Sequence, residues 1–294
     1  MPHFTSYDGA QLAYRVLGHR DPGPGGAPVV CLAGGPARDA AYLGGLGGLD
    51  ARVPLVVPDA RGTGASPTAA DPAGYAFPRL AEDVEALRAH LGLDRFALLA
   101  HDAAAATAQA YAAAHPERLS SLVLLNPGSR LQGRLPHDAR EIFESRAADE
   151  DWWEDAYVAV QLLQHADDLD EIRDLLLRAA PMAYARWEGP QQEHALAEGE
   201  QLNPVPRAAF WQGVDEAAGD AIVAGLAAVE APVLVVTGAL DAITGVRGGE
   251  YVAECFPEAR VVRLPEVGHY PWVDAPQTFV PLVADFLRGT SEGA

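Results

Sequence analysis

The 294-residue sequence predicts an α/β protein, one doubly wound and mostly parallel sheet carrying a helical insertion. Three observations predict it. Short apolar runs recur at 29–32, 55–57, 96–100, 122–125 and 232–236, each stopping at a Gly-, Pro- or polar-rich loop, as buried parallel strands do, and a last strand pattern falls at 260–264. Helical patterns alternate with them. The alternation then breaks for about a hundred residues, from 129 to 229, where no strand run occurs.

Each element follows from local chemistry. Phe4 to Tyr7 and Gln11 to Leu17 alternate apolar and polar residues across Asp8-Gly9, an opening hairpin. A Gly/Pro-rich link, Asp21 to Pro28, leads into the first apolar run, which stops at Ala33-Gly34-Gly35-Pro36. The next stops at Pro58 and continues as Asp59 to Ser66. Leu80, Val84, Leu87 and Leu91 share one helical face. Phe96 to Ala100 then runs into His101-Asp102 and a long Ala-rich helical stretch, the signature of strand, sharp turn and helix. Inside the insertion, helical patterns fall at 139–147, 152–165, 169–180 and 207–213. A last amphipathic helix spans 276–287. We therefore expect a core of residues 1–128 and 230–294 with a helical cap of residues 129–229 over the sheet's active edge.

Composition narrows the partners. With 49% hydrophobic and 21% charged residues the chain has enough apolar content for one large domain. A net charge of −20 repels nucleic acid and anionic membrane surfaces. Cys31 lies in an apolar run and Cys255 near a helix end, which reads as a reduced, intracellular pair of thiols. Residues 1–7 have neither the basic flank nor the apolar core of an export signal, and no run is long enough to span a bilayer. The expectation is a cytoplasmic enzyme acting on a small molecule, without cofactor or metal, with a homodimer left open.

Three polar residues each close a strand. Asp102 follows the strand 96–100, Asp241 follows the strand ending at Thr237-Gly238, and His269 follows the strand ending at Leu264. Alone, Asp102 reads as a helix N-cap, Asp241 as a turn former and His269 as a surface loop residue. Together, in the order nucleophile, acid, histidine, they read as a catalytic triad. The small residues Ala100 and Ala104, two places either side of Asp102, are what a nucleophile on a strained elbow requires.

At these residues the sequence resembles the α/β-hydrolase superfamily over essentially its whole length. Ala33 to Pro36 is similar to its His-Gly-x-Pro oxyanion loop, with Ala in place of His. Asp59 to Ser66 matches Asp-x-Arg-Gly-x-Gly-x-Ser, and Tyr111 to Arg118 matches Tyr-Ala-x-x-His-Pro-Glu-Arg. These features resemble proline-iminopeptidase-like members, whereas the His101-Asp102 pair resembles epoxide hydrolases and haloalkane dehalogenases, which use an Asp nucleophile. The Trp152-Trp153 pair is similar to paired lid tryptophans of actinomycete epoxide hydrolases from aromatic polyketide (angucycline, benzofluorene) pathways.

The resemblance implies a two-step route. A carboxylate is too weak for acyl transfer but adequate for attack on a strained sp³ carbon, giving an alkyl ester on Asp102. His269, oriented by Asp241, then activates water against that ester, with the N–H groups of Gly35 and Ala103 as the oxyanion hole. Trp152, Trp153, Trp211 and Tyr184 are the expected lid contacts to the epoxide oxygen and substrate, although aromatic side chains on helices commonly serve as packing. His101 reads as buried scaffold, Asp59, Arg61 and Ser66 as a loop anchor, and Tyr270 and Trp272 as pocket borders. The expected activity is epoxide hydrolysis to a vicinal diol. Rivals are a dehalogenase with the same triad, a polyketide-modifying lyase or cyclase using Asp102 as a base, and an inactive binding protein.

Overall fold

A computed structural model describes residues 1–18 and 27–291. The Gly/Pro-rich link expected at 21–28 falls mostly outside the described residues. Eight strands form one sheet in the order β1-β2-β4-β3-β5-β6-β7-β8: β1 His3–Thr5, β2 Gln11–Leu17, β3 Val29–Leu32, β4 Leu55–Pro58, β5 Phe96–His101, β6 Leu119–Leu125, β7 Val233–Gly238 and β8 Ala259–Leu264. The opening hairpin pairs antiparallel, β2 joins β4 antiparallel, and every pairing from β4 to β8 is parallel. β5 is buried at all its positions and sits between β3 and β6.

Alternation along the central strands splits the core into two layers. Leu98, Ala100, Leu122 and Leu124 face one side, against α1 (Phe77–His90) and α2 (Ala104–Ala114). Ala97, Leu99, Val123 and Leu125 face the other, where Phe279, Val283 and Leu287 of the closing helix cover them. The alanines of α2 let it lie close to the sheet and to its neighbours, so that Ala104 to Ala112 are all buried.

Between β6 and β7 the chain forms α3 (Asp138–Ser145), α4 (Trp153–Leu163), α5 (Leu169–Ala179), α6 (Gly189–Leu196), α7 (Glu198–Gln201), α8 (Pro204–Ala209) and α9 (Glu216–Gly225). The first three and α8 overlap the helical patterns of the sequence. α6, α7 and α9 carry no clear 3.6-residue pattern, and α9 is started by the Asp215 carboxylate accepting from Ala218 N–H. α9 also packs on α2, where a Cβ on Gly225 would meet the Ala113 Cβ at 2.9 Å. After β7 come α10 (Arg247–Ala253), α11 (Pro271–Asp274) and α12 (Pro276–Ser291). Among the described residues no helix is long and apolar enough to cross a membrane, and both cysteines are free.

The loop after β4 is anchored by charge. Arg61, 1% exposed, donates through Nε and Nη2 to both oxygens of Asp83 (2.8 and 2.7 Å) and also pairs with Asp8. Ser66 Oγ donates to Asp59 O and accepts from Ala13 N–H, stitching the loop to β2. Arg61→Met is expected to lower the unfolding free energy by about 3 kcal/mol in urea titration, because Asp83 is left buried without its countercharge. Adding Asp83→Asn should recover part of that loss.

Candidate active site

Asp102 stands on the turn between β5 and α2 with φ +53°, a left-handed conformation that Asp tolerates better than most residues. Opposite it runs the loop after β3. A Cβ on Gly34 would lie 2.4 Å from the His101 carbonyl oxygen and 2.8 Å from the Asp102 Cβ, so only glycine allows this approach. The approach carries the next residue into contact: Gly35 N–H donates to Asp102 Oδ2 at 2.8 Å. The N–H of Ala103, the other expected oxyanion donor, has no acceptor among the described residues and heads α2 beside Asp102.

The other carboxylate oxygen, Oδ1, lies 3.9 Å from Nε2 of His269. His269 Nδ1–H donates to Oδ2 of Asp241 at 3.0 Å. Asp241 is fully buried and also accepts from Thr244 Oγ1 (2.6 Å) and from the Ile243 and Thr244 N–H groups, which fixes it toward the ring. The structure thus brings Asp102, Asp241 and His269 together. Burial alone would depress the His269 pKa, but the charge and hydrogen bond of Asp241, then the charge of Asp102, outweigh it and hold the pKa above the usual 6.5.

A second imidazole braces the site. His101 Nε2 lies 2.9 Å from the His269 carbonyl oxygen and Nδ1 lies 2.7 Å from Tyr42 Oη, which accepts from Gly34 N–H at 2.8 Å. A carbonyl only accepts, so Nε2 carries the proton. Burial, then the neighbouring His269, depress the His101 pKa and keep the ring neutral, so Nδ1 accepts from the Tyr42 hydroxyl. One directed chain, Gly34 to Tyr42 to His101 to His269, therefore ties the loop after β3 to the histidine loop.

Above the triad lies a cavity of ≈ 180 Å³. Its floor includes Gly35, Asp102, His269, Arg38, Tyr42 and Tyr270. Apolar walls come from Val160 and Leu163 of α4, Leu176 of α5, Met182 and Ile243. Arg38 and Tyr270 took no role in the expected constellation beyond Tyr270 as a border. Arg38 is 2% exposed; Nη1 donates to Tyr270 Oη (2.9 Å), Nε to Gln201 Oε1 (2.8 Å), and Glu198 Oε2 lies 3.4 Å from Nη1. An arginine in a Gly/Pro loop, next to Asp39, was the available sequence signal.

The expected lid aromatics lie elsewhere, which corrects their placement over Asp102. Trp153 Nε1–H donates to Phe143 O at 2.7 Å, and its ring stacks on Phe143 and Tyr157. Trp152 lies on Phe143 with the Arg146 guanidinium 4.7 Å over its ring. Trp211 packs on Phe77 and Phe210 beneath Arg130. Tyr184 is fully buried, its hydroxyl 2.7 Å from His194 Nδ1. Trp272 backs His101, ring centroids 4.8 Å apart, and does not line the cavity. The reason is position along α4: Val160, which does line the cavity, is seven residues beyond Trp153, on the same face but about 10 Å along the axis. Trp152 and Trp153 sit past the cavity's edge and join Phe143, Ala156 and Ala242 in a small cluster between the cap and the loop after β7, whereas Trp211 packs on the main core.

Residues 27–276 match the α/β-hydrolase fold family. The chain is 31% identical over 276 residues (87% of this chain, 94% of the relative) to the Caulobacter sp. (strain K31) protein named "Putative carbamate hydrolase RutD". It is 23% identical over 307 residues (97% and 98%) to the proline iminopeptidase of Heyndrickxia coagulans. Among solved structures, the esterase RhEst1 of Rhodococcus sp. ECU1013 superposes with a TM-score of 0.73 at 24% identity, over 97% of this chain and 98% of that one.

The electrostatics can be read by NMR titration of the His269 imidazole. It should titrate above 6.5 in the unmodified protein, and below 6.5 in Asp241→Asn, where burial acts with only the weaker influence of Asp102 against it.

Proposed function

Since the chain belongs to the α/β-hydrolase fold family, and is a hydrolase whose elbow presents a carboxylate, we propose that it opens an epoxide to a vicinal diol through an alkyl ester on Asp102. The observation that carries this reading is the posture of that carboxylate. Oδ2 is held by Gly35 N–H, while Oδ1 lines the cavity 3.9 Å from His269 Nε2. An N-cap would turn its side chain to the N–H groups of its own helix; α2 receives no side-chain cap.

The relatives' names speak of carbamates, esters and N-terminal proline, all acyl chemistry. Attack of Asp102 on an acyl carbon would give an anhydride, a less stable product than the ester or amide consumed. Attack on an epoxide carbon releases ring strain and gives an ordinary ester. Water then adds to the Asp102 carbonyl carbon as His269 Nε2 takes its proton, and the Gly35 and Ala103 N–H groups hold the resulting oxyanion. The apolar walls suit a hydrophobic, aromatic or polycyclic epoxide.

Asp102→Asn should lower turnover at least about 10³-fold. His269→Gln should instead trap the substrate's mass on the peptide bearing Asp102. In single turnover in ¹⁸O-water, the first diol should carry ¹⁶O from Asp102. A diol whose new oxygen comes straight from water makes Asp102 a base and sinks the ester, and released halide without diol marks a dehalogenase. Hydrolysis of the ester needs neutral His269, so its rate should fall as pH drops; because the ester lacks the Asp102 charge, the midpoint should lie below that of His269 in the resting protein.

A further inference from the structure

Opening an epoxide requires a proton for the ring oxygen, and the lid tryptophans and Tyr184 do not line the cavity that holds Asp102. Two of the residues that line the cavity carry a hydroxyl, Tyr42 and Tyr270. The proton of Tyr42 is committed to His101 Nδ1. Tyr270 differs: its oxygen accepts from Arg38 Nη1–H at 2.9 Å, and among the described residues its own O–H donates to none. Its ring stands edge-on to His269, centroids 5.1 Å apart, on the residue that follows the catalytic imidazole.

We infer that Tyr270, polarised by Arg38, is the acid that protonates the epoxide oxygen, from the core side of the cavity rather than from the lid. The inference rests on the epoxide reading above. As Asp102 Oδ1 bonds to the ring carbon, the C–O bond breaks and its electron pair takes the proton of Tyr270. The phenolate left behind faces the Arg38 guanidinium. Hydrolysis of the ester releases one proton as it restores the Asp102 carboxylate, and that proton returns to Tyr270, so one cycle consumes only epoxide and water. Between cycles the phenol stays protonated: burial, then the charge of Glu198, raise its pKa above 10, and Arg38 offsets only part of this.

Two alkylating probes separate this role from packing. Styrene oxide needs a proton for its leaving oxygen; benzyl bromide leaves as halide and needs none. In the His269→Gln protein, adduct formation on Asp102 is followed by peptide mass in single turnover. Adding Tyr270→Phe should slow alkylation by styrene oxide about 10²–10³-fold, and change alkylation by benzyl bromide less than about threefold. Equal slowing of both probes would make Tyr270 a support for Asp102, and unchanged styrene oxide kinetics would place the acid elsewhere; either overturns the inference. If His269→Gln with Tyr270 intact is alkylated by benzyl bromide but never by styrene oxide, the epoxide reading itself fails. Tyr270→Phe keeps the ring packing against Tyr42, Tyr184 and His194 and leaves Arg38 Nη1 with Glu198 at 3.4 Å, and the benzyl bromide arm reports any disturbance of Asp102 through Arg38.

Discussion

The site depends on one backbone contact, the approach of Gly34 to the carbonyl of His101. A side chain at 34 would collide with that oxygen and with the Asp102 Cβ, so glycine there decides how near the loop after β3 comes to the elbow. The elbow holds Asp102 at φ +53°, which costs on the order of 1 kcal/mol even for Asp. The surroundings offset this: Asp102 N–H is bonded to Leu125 O, Gly35 N–H holds the carboxylate, and the Tyr42 hydroxyl takes up the Gly34 N–H. The contact also places His101 between the two loops, and a neutral imidazole with one donor and one acceptor is what a directed chain there needs. Asn126 repeats the device on the other side, accepting from Gly238 N–H and donating to the carbonyls of Gly268 and His269. The histidine loop is thus held by its backbone, leaving the imidazole free to serve Asp241 and Asp102.

Two carboxylates around one imidazole set the timing of the proposed route. In the resting site both Asp241 and Asp102 favour the charged ring, and the His269 pKa is held up. Esterification removes the charge of Asp102 and leaves only Asp241 against the cost of burial. The pKa of His269 therefore falls when the ester forms, the moment at which a neutral ring is required to take a proton from water. Hydrolysis restores the carboxylate and with it the resting state. A serine at the elbow would carry no such alternation of charge.

The strands, the elbow and the three triad positions were legible because each is a local pattern: an apolar run with a polar residue where it stops. Chain order then assigned the roles. The hairpin and the helices α3, α4 and α5 were legible for the same reason, and α9 was not, because its Glu-Ala-Ala-Gly-Asp start carries no stripe. Which residues face the cavity is a different kind of fact. It depends on where α4 crosses the sheet edge, and a shift of two turns separates Trp153, in the small cluster around Phe143 and Ala242, from Val160, on the cavity. Arg38 escaped because its partners, Gln201, Glu198 and Tyr270, lie more than 150 residues away in sequence. A single sequence gives such pairs no shared signal.

These contacts also divide the inserted segment by what it can contribute. α7 is fastened to the loop after β3 by Arg38 and by Asp39 N–H to Gln201 O, and the N–H of Asn203, the residue that caps α8, adds a bond to Ala37 O. Moving it would pull on the residues that position Gly35. α4 and α5 are built differently: they rest on two small clusters, one around Phe143 and Ala156, the other around Ala159, Leu175 and Ala179, and give the cavity only apolar side chains. In the proposed route they supply no donor or acceptor, and what they give the cavity is its apolar shape. The groups that the proposed route uses, Asp102, His269 and Tyr270 with Arg38 behind it, all belong to the sheet-side lining of that cavity.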